Sequence, residues 1–284
     1  MIGFNDLGSK GWLGNQMFQY AGLRGIAAKN NYEFCIPPND ETRVHNYSLL
    51  ECFEMSNCNN IQYINAATYH SDYTDLPNSC KFEFSQEMLD NCPDEVNITG
   101  FFQSEKYFKH IEYSIRQDFK FKKQYLYEAK SFISQFEKNP IFLHIRRQDY
   151  IASGNNFHIQ TEEYYREGLK YFSEDLPVII LSDDIDWCKS QDIFSSERFL
   201  FYEKQQRFSS IVPGYSYPAL VPFVDLCIMS LCSGGIISNS TLSWWGAWLI
   251  EKENKIIIAP KNWFGAGLVH KNTQDIIPKE WIKL

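Results

Sequence analysis

The stretch His144-Ile145-Arg146-Arg147-Gln148-Asp149-Tyr150 holds the densest set of groups able to do chemistry. It continues Ile141-Phe142-Leu143, an apolar run set off by Asn139 and Pro140, as a buried parallel strand would be. Its polar groups therefore emerge at a strand's carboxyl end, where open α/β sheets bind ligands. Two adjacent arginines are costly there unless paired, and neighbours leaving a strand point to opposite sides. The reading is a divided pair, with Arg146 toward a ligand and Arg147 toward a carboxylate among Asp149, Asp183 and Asp184. A guanidinium fork suits a diphosphate, which it holds bidentately and neutralises as it leaves.

Five other groups could carry chemistry, four where a turn follows a strand or opens a helix and one inside a helix. Ser238-Asn239-Ser240-Thr241 opens a helix carrying Trp244, Trp245 and Trp248. Free N–H groups, the dipole and the hydroxyls make that an anion site; the plain alternative is N-capping. Asp183-Asp184 could hold a divalent metal, but the spacing differs from D-x-D and no third ligand is evident, so a helix cap with an arginine partner is preferred. Asp225 lies in an otherwise apolar helical run and is read as solvated, or else as an acceptor for the N1–H and N2–H₂ of a guanine. In Gly11-Trp12-Leu13-Gly14-Asn15-Gln16-Met17, Gly14 permits close backbone approach and Asn15 can reach a ligand; the alternative is an ordinary turn. The run lacks G-x-G-x-x-G, which disfavours a dinucleotide oxidoreductase. Residues 100–106 leave a strand and would line the first domain's side of a site.

The elements that must position these groups alternate. Strands are expected at 1–7, 32–36, 96–102, 141–145, 178–182, 199–201, 235–238 and 255–259, and helices at 15–29, 122–135, 161–172, 185–189, 219–232 and 240–249. Residues 40–97 are irregular and polar and give no clear elements. Alternating βα units imply parallel sheets covered on both faces. The fold expected is α/β, with two Rossmann-like domains facing a cleft, set at 1–138 and 139–284.

The chain has 284 residues, 44% hydrophobic and 16% aromatic, enough for one large core or two modest ones. A net charge of −8 disfavours nucleic acid, so any phosphate must meet a local positive pocket. The eight cysteines form no C-x-x-C pair and have no histidine at zinc spacing, which favours buried free thiols in a reducing compartment. No leader and no transmembrane segment is evident, so the protein is expected to be cytoplasmic, or peripheral at the inner membrane face.

In order along the chain, GWLGNQMFQYAG (11–22), GFFQSEKYF (100–108), HIRRQDYI (144–151), LSDD (181–184), SNSTLSWWGAWL (238–249) and IIIAPKNWF (256–264) resemble the bacterial α-1,2-fucosyltransferases, relatives of the protein O-fucosyltransferases and α-1,6-fucosyltransferases. The resemblance implies an inverting, metal-independent transfer of fucose from GDP-fucose to the 2-hydroxyl of a terminal β-galactoside. It implies the GT-B glycosyltransferase architecture, with 1–138 on the acceptor side and 139–284 binding the GDP-sugar. The partners it implies are GDP-fucose and a galactose-terminated glycan, with no cofactor beyond the donor. It implies that Arg146 binds the β-phosphate and helps GDP leave, that His144 contacts the nucleotide, and that Ser240 and Thr241, beside Asn239, bind phosphate. Asp225 stands where the wider family reads guanine, Asn15 would sit near the reacting sugar, and Arg147 would pair with Asp183. Asp184 is carried as a further donor-site candidate. The α-1,6 relatives have a Glu five residues past the motif's Asp; here that position is Gly154, which leaves Asp149 as a weak candidate base. Gln148 departs from the usual Gly. Alternatives are a GDP-sugar transferase of another donor or linkage, α-1,6-fucosyl or GDP-mannose, and an inactive nucleotide- or glycan-binding module. Acceptor choice is assigned to 40–97, 152–160 and 205–217.

Overall fold

The structure is a computed structural model that describes residues 1–39, 48–70, 82–203 and 222–284. The loop 205–217, residues 40–47 and 71–81 of the 40–97 segment (Cys80 among them) and the expected helix start at 219–221 lie outside the described residues. The chain divides into two units. Among the described residues the first comprises 1–122 and 272–278, and the second comprises 123–203, 222–271 and 279–284.

The first unit is built from β1 (Ile2–Gly3), α1 (Leu13–Lys29), β2 (Phe34–Cys35), α2 (Leu49–Cys52), β3 (Thr68–Tyr69), α3 (Gln86–Asp90), β4 (Asn97–Ile98) and α4 (Glu112–Asp118). Its four parallel strands run β2-β1-β4-β3. The order reverses between β1 and β4, so the loops leaving those two strands flank the crevice of this sheet. Helix α1 is buried on nearly every side, because the 100–108 segment covers it. A Cβ at Gly22 would lie 2.6 Å from the Phe102 Cβ, and one at Gly25 only 1.9 Å from the Tyr107 carbonyl oxygen. Phe102 itself has φ 50, held by edge contacts with Phe4 at 5.9 Å and Tyr107 at 5.1 Å.

The second unit holds α5 (Lys123–Ile133), β5 (Ile141–Ile145), α6 (Gln148–Ala152), α7 (Glu162–Leu169), β6 (Val178–Ser182), α8 (Ile185–Lys189), β7 (Phe199–Phe201), α9 (Phe223–Leu231), β8 (Gly235–Ile236), α10 (Thr241–Leu249), β9 (Ile257–Ala259) and β10 (Ile282–Lys283). Its six strands are parallel in the order β10-β9-β8-β5-β6-β7. Counted within the unit this is 3-2-1-4-5-6 read from the other edge, the doubly wound order whose switch point falls between β5 and β8. Ile141, Leu143, Ile145, Val178, Ile180, Ile236 and Ile258 form one buried cluster with Tyr164, Tyr165, Cys188 and Phe194. The α/β architecture with two parallel sheets is therefore as expected.

The boundary is not at 138. It falls between Lys122 and Lys123, because α5 packs on α9, with Tyr125 edge-on to Phe223 at 5.1 Å. Asn139 and Pro140 mark only the turn before β5. No helix among the described residues is long and apolar enough to cross a membrane. The seven described cysteines are free thiols, Cys58 being the one partly exposed.

Candidate active site

Strands β5, β6 and β8 deliver their carboxyl ends side by side, and most of the site residues read from sequence come together there. Burial of all five β5 residues fixes where the strand stops, and Arg146 and Arg147 are the first residues beyond it. Arg146 Nε donates to Asp149 Oδ1 at 2.8 Å and its Nη2 donates to Asp149 Oδ2 at 2.7 Å. Asp183 Oδ2 lies 3.2 Å from the same Nε. One side of the fork is thus clamped by carboxylates. Among the described residues Nη1 has no hydrogen-bond partner and Nη2 spends one of its two N–H groups on Asp149, so the end-on edge keeps one N–H on each nitrogen. Burial alone would pull the guanidinium's pKa down; the Asp149 hydrogen bonds and the Asp183 and Asp149 charges more than offset this, so it stays charged. Burial pushes the Asp183 carboxyl up, with the Arg146 charge opposing it.

Arg147 takes a different partner from the one the sequence assigned. Its Nε donates to Asp184 Oδ2 at 3.2 Å, and its guanidinium lies 3.8 Å above the Trp187 ring. Asp183 receives only the Arg147 backbone N–H, at 2.9 Å, because the two aspartates leave β6 on opposite sides and each meets the arginine on its own side. Asp184 also accepts from the Trp187 N–H at 3.3 Å and so caps α8. Asp184 thus has two partners within the protein, Arg147 and the Trp187 N–H. Both carboxylates of this pair are engaged by arginine, and among the described residues no three His, Cys, Asp or Glu side chains are grouped to hold a metal ion.

On the other side of the switch point stands the start of α10. Its tryptophans hold it: Trp244 and Trp245 are fully buried and meet edge-on at 5.0 Å, and Trp281 lies 5.4 Å from Trp244. At the far end Lys255 Nζ donates to the carbonyls of Ala247, Trp248 and Ile250 at 2.7, 3.0 and 2.8 Å, a cation where the helix dipole favours one. Ser240 is the N-cap but its side chain makes no capping hydrogen bond, so its hydroxyl is not spent on the helix. Thr241 follows, partly exposed, as the first helical residue. His144 Nδ1 is 2.8 Å from Ser238 Oγ, both residues being buried.

Asn239 is turned inward. Its Nδ2 donates to the Trp263 carbonyl at 2.7 Å, and its Oδ1 accepts from Gln160 Nε2 at 3.2 Å. Its side-chain amide is thereby held within the protein on both its nitrogen and its oxygen. The reading of Asp225 is corrected. It is 3% exposed rather than solvated, since α9 packs against both α5 and α10. It lies in the first turn of α9, where the dipole favours a carboxylate.

The whole chain, residues 1–284, matches glycosyl transferase family 11. The protein belongs to that family. It is 29% identical to an alpha-1,2-colitosyltransferase of Escherichia coli over 96% of each chain. A galactoside 2-alpha-L-fucosyltransferase of Caenorhabditis elegans is 24% identical over 96% of this chain and 74% of its own. The fold is similar to that of fucosyltransferase NodZ from Bradyrhizobium, at 12% identity, TM-score 0.51, covering 86% and 92% of the two chains. It is also similar to that of POFUT1 in complex with GDP, at 11% identity, TM-score 0.55, covering 91% and 97%.

In this glycosyltransferase Asn15 belongs to the first unit, at the third position of α1. Its Oδ1 accepts from Gln103 Nε2 at 2.9 Å, which joins the first turn of α1 to the loop after β4 at that sheet's switch point. Gly11, with φ 81, folds back so closely that a Cβ would lie 2.2 Å from Asn15 Nδ2. Gln103 and Tyr150 were not singled out from sequence. The available signal was their place, just past strand ends inside the 100–106 and 144–150 stretches.

Proposed function

We propose that the glycosyltransferase moves fucose from GDP-fucose to the 2-hydroxyl of a terminal β-galactoside, with inversion and without a catalytic metal. The observation that carries this is the Arg146 fork, clamped on one side by Asp149 and Asp183 with its end-on nitrogens presented at the β5–β8 switch point. A diphosphate gathers negative charge as the sugar leaves, and a fixed guanidinium answers that charge without reorganising. The start of α10, with the Ser240 hydroxyl unspent, adds donors of the same kind.

The second unit takes the donor, with His144 at the nucleotide and Asp225 as the guanine acceptor. The first unit, with Asn15, stands on the acceptor side. The bond from the anomeric carbon to GDP breaks as the acceptor oxygen attacks from the opposite face, and the hydroxyl proton passes to solvent. Asp149 is a poor base, since Arg146 occupies both its oxygens. Metal independence is supported by the arginines that already neutralise Asp183 and Asp184.

A second reading concerns the donor sugar. The Escherichia coli relative is a colitosyltransferase, and colitose is fucose without its 3-hydroxyl. Departure from GDP is the same chemistry for both. The test is GDP release from GDP-fucose and GDP-colitose, each with and without lactose, in EDTA, with the product linkage read by NMR. Lactose-dependent release from GDP-fucose with a fucosyl-α-1,2-galactose product is expected. Turnover of GDP-colitose alone would move the donor, another linkage would overturn the 2-hydroxyl, and loss of activity in EDTA would overturn metal independence.

A further inference from the structure

The backbone ladder between β5 and β8 ends at Leu143 and Ile236. Beyond it, two side-chain ties join the loops that follow. The inner one is His144 to Ser238. The outer one is Tyr150, whose hydroxyl donates to the Asn239 carbonyl at 2.8 Å. Tyr150 lies on α6, four residues past Arg146, and is 7% exposed. Its ring stacks on Phe157 at 4.5 Å and 13°, and the Arg146 guanidinium carbon lies 6.0 Å from the ring centre. Burial pushes its phenol pKa up, so the hydroxyl stays a donor at neutral pH.

The group it holds is the peptide between Asn239 and the α10 cap, Ser240. In a trans peptide the C=O and N–H point to opposite sides. Fixing the Asn239 carbonyl therefore fixes the direction of the Ser240 N–H. The Asn239 side chain is tied separately, to Trp263 and Gln160, so the peptide plane is the freedom that remains for Tyr150 to remove.

We propose that Tyr150 is a positioning residue that sets the start of α10 against the Arg146 fork, so that the two halves of the β-phosphate site are registered before the donor arrives. This rests on reading residues 144–149 and 238–241 as the diphosphate site. The inner tie holds Ser238 but leaves the peptide after Asn239 free to turn, and a bidentate contact tolerates little displacement.

The test uses the full chain and two variants. Tyr150→Phe keeps the ring stack and removes the hydroxyl; Phe157→Leu does the reverse. Dissociation constants for GDP and GMP are measured by calorimetry, with displacement titration for the weaker ligand, beside thermal unfolding. The GMP-to-GDP ratio isolates what the β-phosphate contributes. In Tyr150→Phe that ratio is expected to fall about tenfold, the worth of about one hydrogen bond to the β-phosphate lost when the Ser240 N–H is no longer aimed. It should stay near the wild-type value in Phe157→Leu. An unchanged ratio in Tyr150→Phe, or equal weakening of GMP and GDP, overturns the positioning role while the donor reading stands. Failure of the wild-type chain to bind GDP overturns the donor reading, and the role of Tyr150 with it.

Discussion

Replacing Arg146 by alanine removes the cation set between Asp149 and Asp183, whose oxygens lie 2.7 to 3.2 Å from it. Two consequences add. The end-on nitrogens offer a diphosphate two charge-assisted hydrogen bonds, of about 1.5–3 kcal/mol each. The share that grows as the leaving group charges is about 3–4 kcal/mol, from the cost of deleting one oxyanion donor. The two carboxylates left behind then repel the phosphates, by about 1 kcal/mol in partial solvent. The sum is a loss of about a thousandfold in kcat. Arg146→Lys restores the charge without the fork and should recover about a tenth of that loss. Folding should survive, because Asp183 keeps the Arg147 N–H at 2.9 Å and Asp149 is 49% exposed. The assay is GDP release at saturating donor and acceptor, with unfolding temperature as control. A folded Arg146→Ala protein within tenfold of wild-type kcat would refute the reasoning.

Asp149→Asn should cost no more than about tenfold in kcat, since the residue orients Arg146; a base would cost about 10²–10⁴, and steady-state kinetics separates the two. The pH dependence of stability should distinguish Arg146→Ala from the parent. Burial already raises Asp183, and Arg146 opposes that rise. Below an unfolded pKa of about 3.9 the carboxyl is protonated in both states, so the gap between the proteins should be small and should widen as pH rises above it. Denaturant melts from pH 3 to 7 would read this, and a gap largest in acid would contradict it. Cys58 is partly exposed, but burial, with help from the Asp118 charge, pushes its thiol up to about 11. Iodoacetamide at pH 8 should label it about a hundredfold more slowly than an unperturbed thiol, as followed by mass spectrometry; rapid labelling of the native protein would contradict that burial.

Long apolar runs with clear breakers were legible in the sequence. β5, β6 and β7 have the bounds expected, because Pro140 and Pro177 fix where two of them begin and burial of the whole strand leaves nothing to slip. β3 and β10 were missed, being two-residue edge strands with too few side chains to show a period. The boundary was misplaced because the amphipathic pattern of α5 reads the same whichever unit it covers. The pairing of Arg147 was misassigned for a related reason. Sequence supplies the carboxylates in reach, but the partner depends on the side from which each leaves β6. Asp225 is a case of tertiary override: one acid in an apolar helix reads as exposed until helices pack on two of its faces.

The chain does not finish one unit before starting the other. It leaves the first at Lys122, re-enters it for residues 272–278, and returns to the second for the last six, which supply β10 to the edge of β9. Within the re-entrant stretch Asp275 accepts from the Phe84 N–H at 3.1 Å and pairs with Lys106. A single cut therefore yields no intact half, and trimming the last dozen residues removes material from both. The two halves cannot be traded between relatives as cassettes by one crossover. Exchanging a whole half would need a junction at every crossing between the units, at 122/123, 271/272 and 278/279 among the described residues.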